Sequence, residues 1–173
     1  MTSQTTLSVL NGLPLDGFVG LLGGVFEHSS WVAEQAGRQR PFKDVDALHR
    51  AMVACVDAST DQAKLALIRA HPELAGKAAI QGQLTRESAS EQTGAGLDQC
   101  SPQELHQLTD LNQAYREKFD FPFILAVRGY DRSGVIQQIK QRLALTASQA
   151  RSESLEQIYK IARFRLDDLI CDG

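Results

Sequence analysis

Along most of the chain, apolar residues recur at helical spacing. From Asp44, "DVDALHRAMVACVDA" places Val45, Leu48, Met52, Val53 and Val56 on one helical stripe. "STDQAKLALIRA" opens with a Ser-Thr-Asp cluster suited to capping and carries Leu65, Leu67 and Ile68. In "SPQELHQLTDLNQAYREKF", Ser101 suits the N-cap, Pro102 the first helical position and Glu104 the reciprocal partner of the cap. Leu105, Leu108, Leu111 and Tyr115 then form its apolar face. "SGVIQQIKQRLAL" and "SESLEQIYKIARFRLDDLI" predict two more helices, and "LDGFVGLLGGVFE" another despite four glycines.

One stretch breaks the helical period. "FDFPFILAVRG", Phe119 to Gly129, is a continuous apolar run with a proline at its centre. It is too short and too proline-marked for a helix, so an extended conformation is expected. With no sheet to join, its backbone polar groups must find other partners. Two readings stand side by side: a buried connector, or a pocket-lining segment whose backbone bonds a ligand. The pattern predicts an all-α fold, a single compact bundle of about seven or eight helices with this one extended segment. The 173 residues, 43% hydrophobic, are enough for one domain spanning 1–173, and no Pro-, Gly- or Ser-rich run separates two.

Composition narrows the function classes. The net charge is −3, with no basic stripe, and only 6% of residues are aromatic. Nucleic acid and anionic membrane surfaces are therefore not expected partners. Cys55, Cys100 and Cys171 are odd in number and far apart, which fits a reducing compartment better than a disulfide framework or zinc site. No secretory signal, 18-residue apolar span or peroxisomal tripeptide is visible, and a cytoplasmic location is expected.

Three elements could carry chemistry. In "LIRAHPELAGKAA", Pro72 restricts His71 to extended geometry, so the helix must end near Ala70 or His71. His71 either stabilises that helix end as a cation or is presented to a cleft for proton transfer. In "TRESASEQTGAGLD", Ser88 and Glu91 match a capping box, yet Thr93 to Gly96 stop the helix within a turn or two. So short a helix also suits a recognition turn, with free N–H groups at its start. On the wheel of "LEQIYKIARFRLDDLI", Arg165 falls about 20° from Ile158 and about 40° from Ile161 and Leu169. A guanidinium on an apolar face needs acceptor oxygens, from an internal acid or from a ligand. His28, His49 and His106 fit helix ends or rims, and no metal-ligand spacing or phosphate loop occurs.

The blocks "FEHSSWVAEQA", "LIRAHPELAGKAA", "LTRESASEQTGAGLD", "LNQAYREKFDFPFILAVRG" and "IYKIARFRL" occur in this order. Together they resemble the OHCU decarboxylase family (2-oxo-4-hydroxy-4-carboxy-5-ureidoimidazoline decarboxylase) of urate degradation, over roughly Leu10 to Ile170. The resemblance implies an all-α homodimer without cofactor or metal. It also implies conversion of OHCU, the product of hydroxyisourate hydrolysis, to (S)-allantoin and CO2, which makes hydroxyisourate hydrolase a functional partner. The family's proton-donating histidine falls on His71, with Glu91 and Arg165 as the other catalytic positions. Substrate contacts fall on Pro72, on the turn Ser88, Ala89, Ser90, Glu91 and Gln92, on Phe123, Ile124, Leu125, Ala126 and Val127, and on Arg165. The family commonly has glycine where this chain has Asp120, a departure at the turn into the extended segment.

The implied chemistry needs few parts. The carboxylate of OHCU sits on a hydroxyl-bearing carbon beside a ring C=N, which can accept the electrons released with CO2. One face of the adjacent carbon must then be protonated, a task for a fixed imidazole. Two alternatives remain open: a cofactor-free hydrolase or tautomerase of a related ureide, and a non-catalytic helical interaction module.

Overall fold

The structure, a computed structural model, describes residues 4–171. In chain order its elements are β1 (Thr5–Thr6), α1 (Leu7–Gly12), α2 (Leu15–Leu22), α3 (Trp31–Gly37), α4 (Val45–Asp57), α5 (Asp61–Ala70), α6 (Lys77–Ile80), α7 (Arg86–Gly94), α8 (Pro102–Phe119), α9 (Arg132–Arg142), α10 (Ala147–Leu169) and β2 (Ile170–Cys171). A single 3-10 turn covers Leu97–Gln99. The all-α class is as predicted. The described residues hold ten α-helices because α1, α3 and α6 are too short to show a period of their own. The one sheet among them is a two-residue parallel pairing, Thr5 with Ile170 and Thr6 with Cys171.

The described residues gather into two compact units, 4–70 with 159–171, and 71–158. In the first, Leu10, Phe18, Leu22, Val32, Leu48, Met52, Val56 and Ile68 are buried. These include the predicted stripe of α4, from which Val45 and Val53 are only half-buried. Asp44 caps α4 by accepting from Ala47 N at 2.7 Å. The Arg40 guanidinium lies 4.9 Å from the centre of the Phe18 ring and donates to the carbonyls of Leu10, Leu13 and Gly37. At the other end of this unit's sequence, Arg163 pairs with Asp46 and with Asp167. Asp46 is held below the ordinary carboxylate range by its hydrogen bond from Arg163.

In the second unit, α8 begins as predicted. Ser101 Oγ accepts from Glu104 N at 3.1 Å, and Glu104 Oε1 accepts from Ser101 N at 3.0 Å. Leu108, Tyr115 and Phe119 are buried on its inner face, while Leu105 and Leu111 are half-buried. The helix runs one residue into the stretch expected to be extended. Phe119 is its last residue, and Asp120 ends it in the left-handed conformation, φ 61°. Residues 121–127 then follow with neither helix nor strand pairing, as their composition predicts. Phe121 and Phe123 to Val127 are all buried.

Candidate active site

His71 is the first residue past α5, where Pro72 requires the helix to stop. It is the one buried histidine of the four in the chain, with 7% of its surface exposed. The loop that follows is clamped at three successive residues. Gln92 Nε2 donates to Glu73 O at 3.4 Å, Asn112 Nδ2 donates to Leu74 O at 2.9 Å, and Ala75 N donates to Gln92 Oε1 at 2.9 Å. The Glu73 carboxylate pairs with Arg116. Ala75 is left-handed, φ 51°, and a Cβ on Gly76 would fall 2.7 Å from the Glu73 Cβ. The loop therefore closes on itself so tightly that position 76 admits only glycine without a shift. This is the physical content of the His-Pro-Glu-Leu-Ala-Gly block.

Helix α7 supplies the other half of the clamp. Its cap lies one turn before the Ser88–Glu91 box suggested by the sequence: Thr85 Oγ1 accepts from Ser88 N at 3.2 Å. Thr85 wins because it precedes the first helical residue, whereas Ser88 is already in the third helical position. Ser88 and Gln92, four residues apart, are buried; Glu91 is half-buried and Ser90 exposed. Gln92 bonds the His71 loop with both ends of its amide. Ala89 lines a cavity of about 410 Å³ that Gln92 and Ala75 of the clamp also line, together with Ile80, Leu97 and Leu105. The predicted recognition turn thus presents its residues in different directions, with Ser88 buried, Ala89 and Gln92 at this cavity and Ser90 to solvent.

Two backbone groups of the extended segment find partners in side chains. Ala126 N donates to Gln157 Oε1 at 3.0 Å, and Gln157 Nε2 donates to Glu153 at 2.8 Å. Ile124 O accepts from Arg142 Nη1 at 3.1 Å. The Arg142 guanidinium carbon lies 4.9 Å from the centre of the Phe123 ring. Tyr115 meets the same ring edge-on at 5.4 Å between centroids and touches Phe119 and Phe121. Val127 O accepts from Tyr130 N at 2.9 Å, which turns the chain toward α9.

Arg165 belongs to the first unit, where it is 4% exposed. Its Nη1 donates to Glu27 Oε2 at 2.9 Å and to Gly24 O at 3.0 Å. Glu27 is 1% exposed. Of the two partners expected for a guanidinium on an apolar face, the internal acid is present. The neighbouring His28, in a left-handed turn with φ 48°, is exposed, with its Nε2 3.9 Å from Glu27 Oε1. His106 is exposed, and half-buried His49 donates from Nε2 to Tyr159 O at 2.8 Å. Among the described residues no group of three His, Cys, Asp or Glu could hold a metal ion, and no helix is long and apolar enough to cross a membrane.

Asn112, Arg142, Gln157 and Glu27 were not foreseen. Two of them carried a signal. Asn112 lies on the Leu105–Leu108–Tyr115 stripe, and Arg142 lies three residues after Ile139 and seven after Val135 on that of α9. Glu27 sits in a glycine-broken stretch with no stripe to reveal it.

The model of one protein family, OHCU decarboxylase, matches residues 11–167. The uric acid degradation bifunctional protein of Bacillus sp. (strain TB-90) is 41% identical over 167 residues, a match covering 96% of this chain and 32% of that protein. The chain thus spans about a third of the length of this bifunctional relative. The 2-oxo-4-hydroxy-4-carboxy-5-ureidoimidazoline decarboxylase of Haloferax volcanii is 36% identical over 163 residues, with 94% of this chain and 95% of that protein covered. A crystal structure of (S)-allantoin synthase superposes with a TM-score of 0.78 at 32% identity, covering 96% of this chain and 54% of that one.

Proposed function

The chain belongs to the OHCU decarboxylase family, and from that premise we propose that it decarboxylates OHCU to (S)-allantoin and CO2 in urate degradation. The observation that carries this reading is the setting of His71. The chain's one buried histidine opens a loop clamped at Glu73, Leu74 and Ala75, and Gln92 ties that loop to the helix bearing Glu91. A rigid imidazole beside a carboxylate-bearing helix suits delivery of a proton to one face of a planar carbon.

The proposed steps balance without an added electron sink. The bond from the hydroxyl-bearing carbon to the carboxylate breaks, and CO2 departs. The electron pair forms a double bond to the adjacent carbon as the ring nitrogen takes up the C=N pair and a proton. His71 then protonates the adjacent carbon, while the hydroxyl proton leaves and a carbonyl forms. Glu91 orients the imidazole and disfavours the charged carboxylate of the substrate. Pro72, Ser88 to Gln92 and the segment Phe123 to Val127 are the proposed substrate contacts, the last through backbone groups that α9 and α10 leave unengaged. A carboxy-lyase of this kind works without cofactor. A cytoplasmic homodimer acting after a hydroxyisourate hydrolase completes the reading.

For Arg165 a second role is favoured by a specific observation. Arg165 is also a proposed substrate contact, and its buried pair with Glu27 supports a structural function within the first unit in addition.

The deciding experiment is chiral detection of allantoin, with CO2 measured in parallel, from freshly generated OHCU with and without the protein, in the presence of EDTA. Accelerated CO2 release with one enantiomer in excess is the expected result. Turnover of a ureide without CO2 would favour a hydrolase or tautomerase. No effect on either would favour an interaction module.

A further inference from the structure

Arg142 is the last residue of α9 and is 6% exposed, an unusual place for a guanidinium. Its Nη1 donates to Ile124 O at 3.1 Å, and its guanidinium carbon lies over the Phe123 ring, 4.9 Å from its centre. Its Nε and Nη2 are buried and make no hydrogen bond. The charge is thus held in the second unit by one aromatic face and one backbone carbonyl, with no carboxylate among its described partners. Arg165 makes the contrast: equally buried, it has Glu27. A buried charge with a single neutral acceptor does little for stability, because its desolvation outweighs one hydrogen bond. An apolar side chain of similar length would fill the same space at lower cost.

The carbonyl it holds lies at the middle of the segment proposed above to bind substrate. An extended strand is normally fixed by a neighbouring strand, and this one has none. Arg142 and Gln157 stand in for that neighbour, one fixing Ile124 O and the other Ala126 N. In extended backbone, the polar groups of alternate residues point to opposite edges. Holding residues 124 and 126 on the α9–α10 side therefore directs the groups of residue 125 the other way.

We propose that Arg142 is a positioning residue for the reaction: it sets the backbone of Phe123 to Val127 in the orientation that receives the substrate, and it acts through Ile124 O and the Phe123 ring. The assignment rests on the reading of this segment as a substrate contact. Arg142→Met keeps most of the length and removes the donors. Arg142→Lys keeps the charge and one donor for Ile124 O but loses the planar face. Gln157→Leu releases Ala126 N independently.

The experiment measures kcat and KM for freshly generated OHCU and the melting temperature for the wild type and all three variants. Arg142→Met is expected to raise KM tenfold or more, with kcat within about threefold and the melting temperature within a few degrees. Arg142→Lys is expected to recover part of the KM defect, and Gln157→Leu to shift KM in the same direction. A folded Arg142→Met with wild-type KM overturns the proposal, as does a melting loss without any change in KM. If Arg142→Met does not fold, Arg142→Lys and Gln157→Leu decide, and unchanged KM in both overturns it. Failure of the wild type to turn over OHCU would instead refute the proposed function, so the two failures are distinguishable.

Discussion

Replacing His71 by asparagine separates the two roles its position allows. A residue that only caps α5 would lose its interaction with the helix end, worth about 0.3–1 kcal/mol, and leave turnover intact. A proton donor would lose on the order of 10²–10⁴ in rate with little change in melting temperature. The second outcome is expected, read as stereospecific allantoin formation beside a thermal melt. Arg165 needs a different design, because its charge is balanced inside the fold. Glu27→Gln or Arg165→Ala removes one partner of this buried pair and is expected to destabilise by about 3–5 kcal/mol in urea titration. The double variant Glu27→Leu/Arg165→Met removes both charges and is expected to recover most of that loss. If the folded double variant still turns over OHCU normally, Arg165 is structural only. Arg165 was legible from its helical wheel, because the apolar stripe on either side of it is long. Its partner was not legible, since nothing near Glu27 in sequence marks it as inward-facing.

At the level of elements, α8 offers two tests, one at each end. Its start is fixed by Glu104, whose carboxyl is held below its ordinary 4.5 by the Ser101 backbone N–H and then by Arg132. A carboxyl whose folded pKa is depressed adds stability that is fully present above the unfolded value. That stability is lost as pH falls through the folded value. Glu104→Gln is therefore expected to flatten the fall of melting temperature below about pH 4.5. Its neutral-pH loss reflects the ion pair with Arg132 at 2.8 Å. The end of α8 explains the departure from the family pattern. Position 120 is left-handed, φ 61°, where glycine is the least strained residue and aspartate one of the few tolerated alternatives. Asp120→Gly is expected to be more stable than Asp120→Ala by about 1 kcal/mol in paired denaturation curves. The capping box of α8 could be read from sequence because it is local. The cap of α7 was misplaced by one turn because Thr85 and Ser88 offer the same chemistry and only the start of the helix chooses between them.

For the whole molecule, the helical class was legible because α4, α5, α8, α9 and α10 each carry a periodic stripe. The β1–β2 pairing was not, since it joins residues 165 apart with two-residue strands that have no pattern of their own. Much of the support beneath the proposed site was likewise hidden. Gln157 is a polar residue in an amphipathic helix, and its burial is decided by the extended segment elsewhere in the sequence. The pair Glu27–Arg165 has a further consequence for biosynthesis. The first unit is discontinuous: it takes residues 4–70 and then waits for 159–171, whereas the second is one continuous stretch, 71–158. At roughly 5–20 residues per second, a ribosome makes Arg165 about 7–28 s after Glu27. Throughout that interval the guanidinium that Glu27 pairs with in the finished fold has yet to be made. The unit that is begun first is therefore completed last. The chain leaves the ribosome with the His71–Ile158 stretch free to fold while its N-terminal helices still await the last turns of α10.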